Sequence, residues 1–95
     1  MNTQEAYQQK FEAKLKEADA EISRLSAKAE GATADRKLEL EKQVNELRSK
    51  RDSIGSKLSE LKDKSGDAAG DVQSGLESAW DEFTNSLSSA RDRLN

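Results

Sequence analysis

The chain has 95 residues, enough for one small domain. Only 33% of them are hydrophobic and 37% are charged, with a mean hydropathy of −1.00, so any core must be thin and elongated or shared between chains. Cysteine, histidine and proline are absent, which excludes a disulfide framework, removes the two commonest transition-metal ligands and leaves glycine as the strongest helix breaker present.

The first predicted helix covers residues 3–30, with Thr3 as its N-cap. Phe11, Leu15, Ala18, Ile22, Leu25 and Ala29 recur at alternating steps of four and three, which places one narrow apolar seam along the helix. Such a seam has nowhere to hide except against another helix. Gly31 interrupts the pattern, and Thr33 and Asp35 offer a new N-terminus. Yet Ala29 and Leu40 are eleven residues apart, three full turns, so an unbroken helix would keep both on one face. The spacing favours continuity through Gly31, which would give a rod of about 90 Å over residues 3–64 at 1.5 Å per residue.

The second predicted segment, residues 33–64, carries the seam on Leu40, Val44, Leu47, Ile54, Leu58 and Leu61, with Arg51 standing in one slot. A lone polar residue at such a site can set register or partner number, or simply pack its stem while its head reaches water. Ser65, Gly66 and Asp67 then supply a stop, a turn and a start, with Gly66 suited to a left-handed conformation and Asp67 to a cap. Gly66 and Gly70 also make a small-xxx-small spacing, but their neighbours Asp67 and Asp71 favour a turn over close helix packing. The third segment, residues 67 to about 93, places Ala68, Val72, Leu76, Ala79, Trp80, Phe83, Leu87, Ala90 and Leu94 on one face and acidic and serine side chains on the other.

Charge is uneven. Residues 36–66 hold nine Lys/Arg against six Asp/Glu (+3), and residues 67–95 hold two against six (−4). If the third segment folds onto the middle one, opposite charges meet beside the seam, selecting orientation more than adding stability. On this view Trp80 and Phe83 anchor the third segment to the basic middle one.

Chemistry-bearing constellations are few. Without histidine or cysteine, and with the remaining Asp, Glu, Lys, Ser and Thr on solvated faces, no catalytic site, metal or cofactor is expected. The net charge of −3 and the lack of a basic patch interleaved with aromatics exclude a nucleic-acid partner. A helix with Trp on its apolar face could lie at a membrane surface, although its charge of −4 disfavours anionic lipid. No run approaches the roughly 18 apolar residues of a membrane span, and the first residues lack a signal-peptide core, so a soluble cytoplasmic protein is expected.

The run Lys42-Gln43-Val44-Asn45-Glu46-Leu47-Arg48-Ser49-Lys50-Arg51, then Lys57-Leu58-Ser59-Glu60-Leu61-Lys62, a Ser-Gly-Asp turn and Leu76-Glu77-Ser78-Ala79-Trp80-Asp81-Glu82-Phe83 resembles a group of small bacterial coiled-coil proteins, often described as stress-response or uncharacterised. The resemblance spans about residues 5–94 and is most specific around Trp80-Asp81-Glu82-Phe83. It implies a helical, non-enzymatic protein and supplies no catalytic residues. Gly31 and Gly55 depart from the more alanine-rich pattern of that group. The third segment is also similar in style to exchangeable apolipoprotein helices.

Together these features predict an all-α fold: a coiled coil or elongated helical hairpin with a long first helix, or alternatively a monomeric antiparallel three-helix bundle. The long-helix form leaves half its seam uncovered and so requires a homo-oligomer or a partner helix.

Overall fold

The computed structural model describes the backbone of residues 3–94 and the side chains of residues 3–93. Three helices follow in order: α1 (Thr3–Glu30), α2 (Ala34–Leu61) and α3 (Gly66–Leu94). Gln4, near the start of α1, meets the end of α2, and Arg93, near the end of α3, meets Glu39 near the start of α2. Both flanking helices therefore run antiparallel to α2 and parallel to each other. A helix of 28 residues spans about 42 Å, in keeping with a body of 50 × 20 × 18 Å.

The all-α class is what forms, in its three-helix bundle geometry. The long first helix is not. In a single chain it would leave the seam of half a 90 Å rod in water. Reversing at residues 31–33 instead buries Leu25, Ala29, Leu40 and Val44, each at most 3% exposed. Full burial of a Leu or Val is worth about 1.5–3 kcal/mol, so several such residues outweigh the few helical bonds lost in the loop.

The two joints are built differently. At the first, the Gly31 and Ala32 amides donate to the Lys28 and Ala29 carbonyls (3.2 and 3.1 Å), tightening the last turn into 3₁₀ geometry. Thr33 is extended (φ −62°, ψ 157°), makes no side-chain capping bond, and accepts the Lys37 amide on its carbonyl at 2.8 Å. Gly31 holds no left-handed conformation; Gly66, at φ 60°, is the glycine that does. At the second joint, the Lys62, Asp63 and Lys64 amides reach back to Ser59, Glu60 and Leu61. The Gln4 side-chain amide donates to the Leu61 and Lys64 carbonyls at 2.9 and 3.1 Å, so α1 caps the C-terminus of α2. As a result α2 ends at Leu61 rather than Lys64, and Gly66 opens α3 one residue before the expected start.

The core lies on the common axis. Phe11, Leu47, Ile54, Leu61, Leu76 and Phe83 are its largest fully buried side chains. The apolar rhythm of α1 and α2 is buried throughout, apart from half-buried Arg51. In α3 the buried positions are Ala69, Leu76, Phe83, Leu87 and Ala90, with Val72 and Trp80 partly covered. Ala68, expected on this face, is exposed, and Ala69 takes its place. The Leu94 side chain lies outside the described residues.

Candidate functional site

The chain's own helices close the seam, and polar side chains run along its three edges. On the α1–α2 edge, Arg51 donates from Nε and Nη2 to the two Asp19 carboxylate oxygens (2.7 and 3.2 Å). Lys62 Nζ sits 3.6 Å from Glu12 Oε1, and Arg48 Nη2 donates to Ser26 Oγ at 3.4 Å. On the α2–α3 edge, Lys50 Nζ donates to Ser86 Oγ (2.5 Å) and Arg93 Nη1 to Glu39 Oε1 (2.6 Å), while Arg36 Nη2 donates to the Arg93 carbonyl.

The α1–α3 edge carries the aromatic residues. Tyr7 tilts against Phe11 (centroids 5.0 Å), Phe11 meets Trp80 edge to face (6.2 Å), and Trp80 stacks on Phe83 (5.4 Å). Lys14 Nζ lies over this ladder, 4.9 Å from the Phe11 ring centre and 5.0 Å from that of Trp80. The Tyr7 hydroxyl donates to Glu77 Oε1 at 2.9 Å and lies 3.2 Å from the Gln73 carbonyl. Burial, then that hydrogen bond and the Glu77 charge, push the Tyr7 pKa up to about 12. Further along, Arg91 Nη2 reaches Glu21 Oε2 (2.8 Å) and Arg24 Nη1 reaches Glu21 Oε1 (3.0 Å). The Arg91 hydrogen bond foremost holds the Glu21 carboxyl below its usual range.

Two sequence expectations are corrected here. α3 does fold onto α2, but the ring contact that Trp80 makes across helices is with Phe11 of α1, because α1 and α3 run parallel and bring their aromatic turns level. Nor, among the described residues, is an acid of α3 paired with a base of α2. The basic side chains Arg51 and Lys62 of α2 pair with Asp19 and Glu12 of α1. The C-terminal arginines of α3 reach Glu21 and Glu39 instead.

Phe11, Leu15, Ile22, Leu25, Val44, Leu47, Ile54, Leu58, Leu61, Leu76, Phe83 and Leu87 are brought together in one core inside one chain, and Leu40 is buried beside the first joint. Sequence reasoning missed Gln4, Tyr7, Asp19 and Glu21, whose partners lie 32 to 70 positions away. The register of Ala69 was legible, since 69, 76, 83 and 90 form a strict seven-residue repeat. Among the described residues, no group of three acidic side chains is arranged to hold a metal ion, no buried position is polar, and no helix is long and apolar enough to cross a membrane. The clefts described are open grooves, such as the one on the outward face of α2 past Leu38, Lys42 and Asn45. What these side chains build is a packing interface between helices, apolar along the axis and polar at its edges. Comparison with protein-family models, curated proteins and solved structures finds no match.

Proposed function

We propose that the protein is a non-enzymatic helical interaction module that associates with helices of matching pattern through its apolar seam, a second copy of the chain foremost. The observation that carries this reading is the make-up of the seam. Among the described residues its buried positions hold apolar side chains alone, and its polar contacts lie at the exposed or half-exposed edges. Buried polar networks are what tie a core to one arrangement. A seam of apolar side chains with edge ion pairs worth about 0–1 kcal/mol each lets a helix that repeats the four–three spacing take the place of one of the chain's own.

A labelled peptide of residues 3–30, titrated with the full-length chain, tests this. A saturable rise in anisotropy is expected, and a peptide of the same composition with scrambled spacing should leave the signal flat. No saturable rise with the native peptide sinks the reading.

A second reading is reversible attachment to a lipid surface through α3, favoured by the half-buried position of Trp80 on the otherwise apolar face of that helix. It predicts a blue shift of Trp80 fluorescence with neutral vesicles, and no shift at high lipid rules it out. The hydrophilic composition also suits a stress-related chain that orders on dehydration. A sharp cooperative melt in plain buffer counts against that role.

A further inference from the structure

We infer that the α1–α2 joint is a hinge through which two copies of this chain exchange α1, forming a swapped dimer in which residues 3–61 run as one continuous helix. The inference rests on the self-association reading above and names the partner as a second copy.

Phase is the first argument. Ala29 and Leu40, the last and first buried residues beside the joint, are eleven positions apart, about 20° from perfect alignment at 100° per residue. Straightening the loop keeps the seam on one face. The other joint fails this test: Leu61 and Ala69 are eight positions apart, about 80° out of phase.

The loop itself is the second argument. Residues 31–33 contain no left-handed conformation. Gly31 and Ala32 already bond back into α1, and extended Thr33 must turn to a helical ψ for the reversal to disappear. The Thr33 hydroxyl makes no capping bond that would hold α2 to a separate start. The α2–α3 joint, by contrast, contains left-handed Gly66 and is bound by Gln4.

Packing is the third. The aromatic ladder and the continuous core lie away from the hinge, whereas buried Ala29 and Leu40 stand outside that core. In the swapped form every α1 contact re-forms with the other chain, including Tyr7–Glu77, Asp19–Arg51 and Glu21–Arg91, so only the loop changes. Domain swapping of this kind is a low-cost route to dimers.

The full-length chain and two variants test the hinge after refolding at high concentration, read by light scattering and circular dichroism. Gly31→Ala with Thr33→Ala raises helix propensity across the joint, where a Cβ on Gly31 meets only ordinary contact at 3.6 Å from the Lys28 carbonyl. Its dimerisation constant should exceed that of the wild type by about tenfold or more. Ala34→Pro fits the closed form, because position 34 is the first of α2 and extended Thr33 suits a following proline. It forbids the continuous helix, so this variant should stay monomeric with unchanged helicity.

Carbodiimide coupling of Glu12 to Lys62, 3.6 Å apart, should join two chains in the isolated dimer and one chain in the monomer. A dimer with only within-chain links, or equal dimerisation of Ala34→Pro, overturns the hinge while leaving self-association standing. A monomer at every concentration for the Gly31→Ala/Thr33→Ala variant also overturns it; if the residue 3–30 peptide then fails to bind as well, the underlying reading falls with it.

Discussion

Arg51 of α2 grips Asp19 of α1 with two prongs, 2.7 Å from Nε to Oδ1 and 3.2 Å from Nη2 to Oδ2, from a position where the apolar rhythm calls for a leucine. Position 51 falls between Leu47 and Ile54 in the rhythm, and the guanidinium turns to the edge, where Asp52 also approaches at 3.5 Å. Gly55, one turn on, leaves space for it: a Cβ there would sit 3.3 Å from Arg51 Nη1. The side chains of Arg51 and Asp19 are 31% and 52% exposed, so solvent screens the pair. Asp19→Ala should cost about 0–1 kcal/mol, shrinking as salt is raised. Arg51→Leu should be neutral or stabilising, because it extends the apolar seam without leaving a buried charge. Urea unfolding at low and high salt checks both; a loss of several kcal/mol for Arg51→Leu would mean the guanidinium is indispensable to the register.

Tyr7 provides a pH signature. Its folded pKa is raised to about 12 from 10.0, so the folded state favours the neutral phenol. The stability this contributes is present below pH 10 and is lost as pH rises from 10 towards 12. Tyr7 is the single tyrosine, so phenolate absorbance reports it without overlap from another. The expected titration lies well above that of the urea-unfolded chain, and Glu77→Gln should move it part of the way back. Coincident folded and unfolded titrations would remove Tyr7 from the α1–α3 edge.

Two leucines of α2 separate seam from surface. Leu47 is 1% exposed and Leu38 is 74% exposed. Leu47→Ala should cost about 2–5 kcal/mol through lost transfer energy and a cavity, a large share of the 5–15 kcal/mol typical of a whole domain. Leu38→Ala should stay within about 0.5 kcal/mol. Equal costs in urea melts would show that Leu38 is covered in solution by something else.

The sequence carried the helices, the buried face of α1 and α2, and the break before α3, since a four–three rhythm is local information. It did not carry which edge each charge joins. Tyr7–Glu77 and Arg91–Glu21 depend on α1 and α3 lying parallel and level, a relation no local pattern encodes. The reversal at residues 31–33 was hidden for a different reason. Ala29 and Leu40 keep phase through it, so periodicity alone reads the same for a turn and for a straight helix. What decides is how much seam a single chain can bury, which is a property of the whole bundle.

The two glycines at the start of α3 should respond to alanine with opposite signs. Neither would meet a neighbour, since an added Cβ at Gly66 or Gly70 has nothing within 4 Å. Sterics with other side chains therefore cancel out of the comparison and the backbone decides. Gly66 sits at φ 60°, where an L side chain crowds its own carbonyl, so Gly66→Ala should cost about 1–2 kcal/mol. Gly70 lies inside the helix without a positive φ, so Gly70→Ala should stabilise by about 0.5–1 kcal/mol by limiting the unfolded chain and favouring the helix. Urea midpoints of the two single variants are the measurement. A stabilising Gly66→Ala would mean that α2 and α3 join through some other conformation than the left-handed one, and the turn that aligns Ala69 with the core would have to be redrawn.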